Sequence, residues 1–223
     1  MEDIELRNIW QSYDRKLEES RILNMQSWVL NFKCFEALQR QKAKSKLNAL
    51  AAFKSGAVIL GIIWILFLGV LVYGVQLTNM YFSFSVSVII LFNVFAIAVY
   101  IKHIIIIKRI NYSESITDTQ RKLSRLQFST INSTRILFLQ TPFYATWWWN
   151  SSILDFNSVS FWAITFPVTL FLVLAAIWLF RNISLKNMHK KWLRNLMMAG
   201  PEYKYILKAR DFIDEIEEFK NEK

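Results

Sequence analysis

Residues 56–75 read GAVILGIIWILFLGVLVYGV, a run without a single charged side chain. At 1.5 Å per residue a helix of this length rises about 30 Å, the thickness of the hydrocarbon core of a bilayer. A stretch that long and that apolar predicts a transmembrane helix, because a helix packed in a soluble core keeps one polar face. Residues 82–101, FSFSVSVIILFNVFAIAVYI, repeat the pattern after a short polar link at 76–81. Apolar character then continues past Lys102 and His103 to Ile107, so the second helix is expected to run on through the interface with Lys102 snorkelling. A further uncharged run, 159–180, contains Pro167, which a membrane helix accommodates as a kink.

Between these lies ILFLQTPFYATWWW at 136–149, only 14 residues and ambiguous by length alone. Charge decides the count. Ten Lys and Arg lie in 1–55, seven in 102–135 and ten in 181–223, which accounts for all 27. With four spans, at about 56–75, 82–101, 130–149 and 159–180, every basic residue falls on one side. The links 76–81 and 150–158 then carry none, only Asp155. Such asymmetry is the positive-inside pattern and puts both termini in the cytoplasm. Trp147, Trp148, Trp149, Phe161 and Trp162, with Tyr73 and Tyr81, then gather at the outer interface as an aromatic belt. The expected fold class is therefore all-α: an integral membrane protein with four transmembrane helices and amphipathic cytoplasmic helices at both termini.

The flanks divide accordingly. Residues 1–55 form a polar to amphipathic segment, with Ile9, Tyr13 and Leu17 on one helical face and Met25, Trp28, Val29, Phe32 and Phe35 at helical spacing. A basic stretch, QRQKAKSKLNALAAFK (39–54), leads into the membrane domain, 56–180. In the 102–135 loop, Leu123 and Leu126, with Phe128 or Ile131, make an apolar stripe on a helix lying on or leading into the membrane. The tail, 181–223, starts basic and is broken at Gly200-Pro201. It resumes as an amphipathic helix with Ile206, Ala209, Ile213 and Ile216 on one face and acidic residues on the other. Its apolar stripe is expected to pack on 22–38. The acidic face, Asp211, Phe212, Asp214, Glu215, Ile216, Glu217, Glu218 and Phe219, is the candidate docking site for a partner.

Several chemistries find no support. The net charge of +10 does not imply nucleic-acid binding, since the basic residues flank apolar runs and are not interleaved with aromatics. One cysteine, Cys34, excludes an intrachain disulfide. The start, MEDIELRNIW, lacks a basic n-region and apolar core, so insertion through the internal spans is expected. His103 and His189 stand apart without carboxylate or cysteine neighbours at ligand spacing, and are expected to be interfacial residues in basic flanks, not metal ligands. No phosphate-binding loop, nucleophile elbow or zinc-protease motif occurs. The four expected spans hold no ionisable residue beyond Arg135 at the start of the third. Ser83, Ser85, Ser87 and Asn93 are the polar features of the second, expected to bond between helices. No cofactor is implied.

NIWQSYDRKLE (8–18), LNMQSWVLNFKCFE (23–36), QKAKSKL (41–47), INYSESI (110–116), RILFLQTPFY (135–144), KKWLRNL (190–196) and FIDEIEEF (212–219) as a set resemble a family of small bacterial multi-pass membrane proteins often encoded beside an ECF-type sigma factor. The resemblance covers nearly the whole chain but brings no established activity or site residues with it. It implies a membrane-bound partner of a sigma factor. The sequence therefore favours an anti-sigma-like regulatory protein over an enzyme, its partners being the bilayer, a cytoplasmic regulator such as a sigma factor, and further copies of itself. The alternative is a subunit of a transporter or channel-like complex.

Overall fold

One helix, α1 (Glu2–Val75), carries both the polar N-terminal segment and the first apolar span. No Gly or Pro occurs before Gly56, so nothing in the backbone chemistry ends the helix between the two parts. The result is a rod of about 110 Å at the rise of an α-helix. The structure, a computed structural model, describes residues 2–75, 79–110, 115–149 and 159–221, with side chains from 7 to 220. The expected outer links, including Gln76, Asp155 and Asn157, fall mostly outside the described residues, as do 111–114 of the loop.

All described secondary structure is helical. Three helical stretches are long and apolar enough to cross a membrane: the span at the end of α1, α2 (Met80–Lys108), and Phe161–Asn182. Asn79 caps α2 by accepting from the Phe82 N–H at 3.2 Å. α2 then returns antiparallel along α1. A Cβ on Gly61 would sit 3.3 Å from Ile97, so a bare glycine lets the two backbones approach there. The last apolar helix opens with a π-helical turn, Phe161–Thr165, before α5 (Phe166–Asn182). Pro167, lacking an N–H, stands just after it, where the irregular turn absorbs the missing bond.

The third expected span, 130–149, is not one long apolar helix. It combines the end of α3 (Ile116–Leu137), a 3-10 turn (Phe138–Gln140) and the short α4 (Thr141–Thr146). Pro142 is the cause: it cannot donate to the Phe138 carbonyl, which accepts the Thr141 hydroxyl at 2.8 Å instead. Despite the break, the path runs antiparallel to α2 along its length. Leu123 and Leu126 pack with Ile107 and Ile110 at one end. Ser129 Oγ lies 2.8 Å from His103 Nε2, and Thr146 Oγ1 lies 2.8 Å from Ser85 Oγ. At the far end the Asn79 amide donates to the Trp149 carbonyl at 2.8 Å. Phe143 and Trp147 pack there against Leu68, Val86 and Ile89.

After α5 the chain turns through Leu185–Asn187 into α6 (Lys191–Ala199). Gly200 is extended, as a residue before proline prefers, and α7 (Pro201–Asn221) begins at once. α7 lies antiparallel to α1, and its buried Ile206, Ala209, Ile213 and Ile216 meet Ala43, Leu47 and Leu50. Ile107, Ile110, Leu123 and Leu126 complete that core, so α7 packs on 32–54 and on α3 as well. Within the expected 22–38 stretch, Phe32 and Phe35 stack on Phe219 at 6.1 and 4.7 Å.

Candidate functional site: the acidic helix and the buried junction beneath it

α7 faces two ways because its apolar residues recur at three- and four-residue spacing. Of the eight residues expected to dock a partner, Asp211, Glu215, Glu217 and Glu218 are exposed. Phe212, Asp214 and Phe219 are half-buried. Ile216 is not available to a partner. It is fully buried in the core between α7, α1 and α3, because the apolar stripe that selected it also draws it inward. Phe219 likewise packs on Phe32 and Phe35, and Phe212 lies beneath the Lys42 ammonium, 5.6 Å from its ring centroid.

The carboxylates are oriented by neighbouring helices. Gln39 donates to Glu215 at 2.5 Å. The Gln120 amide of α3 donates to Asp214 at 2.8 Å and to Glu217 at 2.7 Å. Arg210 reaches Asp214 at 3.3 Å and the Gln127 carbonyl oxygen at 3.2 Å, while the Gln127 amide donates to the Tyr203 hydroxyl oxygen at 2.8 Å. Asp214, Glu215 and Glu217 are thus held by side chains of α1, α3 and α7 itself. Glu218 has no partner of this kind among the described residues.

At the root of α7 a polar cluster closes over the end of the bundle. Lys54, two residues before the first apolar span, is fully buried and pairs with the Glu202 carboxylate. Burial pulls the Lys54 ammonium below its ordinary pKa, and the Glu202 charge opposes that pull. The other Glu202 oxygen accepts from the Tyr100 hydroxyl at 2.5 Å. The Lys54 ammonium also lies 4.1 Å from the centroid of the Tyr100 ring, a cation–π contact. Tyr100 stacks on His103 at 6.5 Å, and His103 bonds Ser129. α1, α2, α3 and α7 therefore meet in one chain of contacts.

His103 departs from its expected place at the interface: it is fully buried between α2 and α3. Its Nδ1 has no hydrogen-bond partner among the described residues, and the nearest acid of the cluster, Glu202, is engaged by Lys54 and Tyr100. The His103–Ser129 pair therefore lacks the third group that orients an imidazole as a general base. Of the span-two polar residues, Ser85 bonds across to Thr146 and Asn93 interacts across with Tyr144 while also bonding back to the Ile89 carbonyl at 2.8 Å; Ser87 bonds back to a carbonyl of its own helix at 2.7 Å.

Sequence reasoning missed this junction. Lys54 looked like one more basic flank residue, and its partner stands 148 positions away. One signal was present: Glu202 is the first acid after Asp155, directly behind a Gly-Pro break. Comparison with known proteins returns no matching family model, no matching curated protein and no matching solved structure.

Proposed function

We propose that this chain is a regulatory binding protein of the bacterial inner membrane, which holds a soluble basic partner against the acidic face of α7. The observation that carries the reading is the exposed row Asp211, Glu215, Glu217 and Glu218 on a helix whose opposite side is locked into the protein. An exposed acidic row steers a basic partner at long range and fixes its orientation on arrival. A sigma factor presents basic DNA-binding surfaces, and the family resemblance implies one as neighbour, so an ECF-type sigma factor is the partner of choice. Phe212 and Phe219, half-buried, supply the apolar contact that Ile216 does not.

Four spans with both termini in the cytoplasm belong to the same reading. The basic residues support it, all 27 lying in 1–55, 102–135 and 181–223. So does the path from Ser129 to Trp149, which matches α2 in extent between His103 and Asn79.

The test is affinity capture from gently solubilised membranes, together with transcript levels in a deletion strain. A sigma factor is expected to copurify, and its target transcripts to rise when residues 202–223 are removed. Reversing Glu215, Glu217 and Glu218 to Lys should slow association most at low salt. Flat transcripts with no sigma factor captured would end this reading and favour the transport-subunit alternative.

A further inference from the structure

Residues 156–201 contain no acid, yet Arg181, Lys186, Lys190, Lys191 and Arg194 fall among them. None of these five cations is paired with a carboxylate among the described residues. Elsewhere some basic residues are answered by acids, as Glu36 answers Arg40 at 2.6 Å and Glu202 answers Lys54. This segment gathers its charge at the elbow where the apolar helix α5 ends. There an open concavity of about 640 Å³ lies against one face of the last turns of α5, lined by Leu174, Ile177 and Trp178 and ending at Arg181 and Asn182. Trp178 also stacks on Trp192 of α6 at 5.1 Å. That contact sets the start of α6, with Lys190 and Lys191 next to Trp192 in the chain, beside the same face. Leu193 and Met197 are buried, so α6 is anchored by its apolar side and its cations stay exposed.

We infer that this elbow is a selective binding site for an anionic phospholipid of the surrounding bilayer. The inference rests on membrane residence but not on a sigma factor. An acyl chain lies against Leu174, Ile177 and Trp178, and the headgroup phosphate sits among Arg181, Lys186 and the cations flanking α6. Charge complementarity selects the occupant. An apolar wall ending in unpaired cations satisfies both halves of an anionic lipid, whereas a zwitterionic headgroup leaves the positive charge unanswered. A guanidinium at the rim favours phosphate through its planar fork of donors.

The experiment is native mass spectrometry of the full chain released from detergent, titrated with phosphatidylglycerol or phosphatidylcholine. Phosphatidylglycerol is expected to be retained at least 10-fold better. The triple variant Arg181→Gln, Lys186→Gln, Lys190→Gln should lose that preference. A control removing equal charge from α1, Lys42→Gln, Lys44→Gln, Lys46→Gln, should keep it. All six positions lie outside the buried core, and circular dichroism reports whether each variant is folded; Arg181→Lys with Lys186→Arg preserves charge and should retain most binding. Equal retention of the two lipids overturns the proposal, as does an equal loss in the α1 control, which would mean diffuse attraction. Displacement of the lipid by millimolar inorganic phosphate would also overturn it, by making a free anion the ligand. Sigma-factor capture, measured separately, is unaffected by either result.

Discussion

Lys54, fully buried, is paired with Glu202, 148 residues further along the chain, and this contact fastens the root of α7 to the mouth of the helical bundle. The pair is also the only ion pair between distant helices among the described residues; the others join residues four apart on one helix. A buried pair of this sort adds little over an apolar replacement, but losing one partner strands the other charge.

Glu202→Ala is therefore expected to cost about 3–5 kcal/mol, towards the lower figure because the Glu202 side chain keeps 18% exposure. Lys54→Met should cost less, since Glu202 retains the Tyr100 hydroxyl and an edge open to water. Thermal unfolding in detergent gives the order. Limited proteolysis should cut α7 of Glu202→Ala faster than that of the parent. Equal melting temperatures for both variants would show that the ammonium is solvated after all.

Ile213 and Ile216 test the core beneath the acidic row. Both are buried, and truncation to Ala should destabilise by about 2–5 kcal/mol each. Glu218→Lys, on the exposed side, should leave stability within about 0.5 kcal/mol. The contrast separates a helix that holds the fold from one that merely lies against it. If Ile216→Ala melts like the parent, α7 is not docked on α1 in solution.

The long apolar helices were legible because their signal is local. An uncharged run such as 56–75 needs no partner to be recognised. The amphipathic stripe of α7 was equally plain, and it named the buried Ile206, Ile213 and Ile216. What the stripe could not supply was its address. Residues 22–38 and 32–54 of α1 carry similar apolar spacing, and the choice between them depends on where Glu202 meets Lys54. The expected span at 130–149 was ambiguous for another reason: Pro142 and the 3-10 turn divide it, so no single apolar run there has the length of a span. His103 was misplaced because a basic flank surrounds it in sequence, while Ser129, its partner, lies on another helix.

Ser129→Ala should leave the His103 imidazole without a hydrogen bond on either nitrogen, since Nδ1 already lacks one among the described residues. A buried polar group so abandoned costs about 1–3 kcal/mol. Replacing both groups with apolar ones, His103→Leu with Ser129→Ala, should recover part of the loss, because no orphan donor remains. A double-mutant cycle on melting temperature measures the coupling. Strict additivity would show that the two side chains do not act as a pair.

The arrangement across the bilayer is open to labelling, and the one native cysteine sets the design. Cys34 is exposed, so the mapping must start from Cys34→Ser. The ends of α1, α2 and the α3–α4 path meet at Asn79 and Trp149, which predicts a common outer face. Cysteines at Met80 and Trp148, 78% and 75% exposed, should then react with a membrane-impermeant maleimide on intact cells. Cysteines at Arg15 on α1 and Lys208 on α7 should react only after permeabilisation, because both helices extend from the opposite end of the bundle. Labelling at Lys208 with Trp148 protected in intact cells would mean that 130–149 turns back before crossing. The path beside α2 would then be re-entrant, the bundle would have three spans, and the acidic row would face away from any cytoplasmic partner.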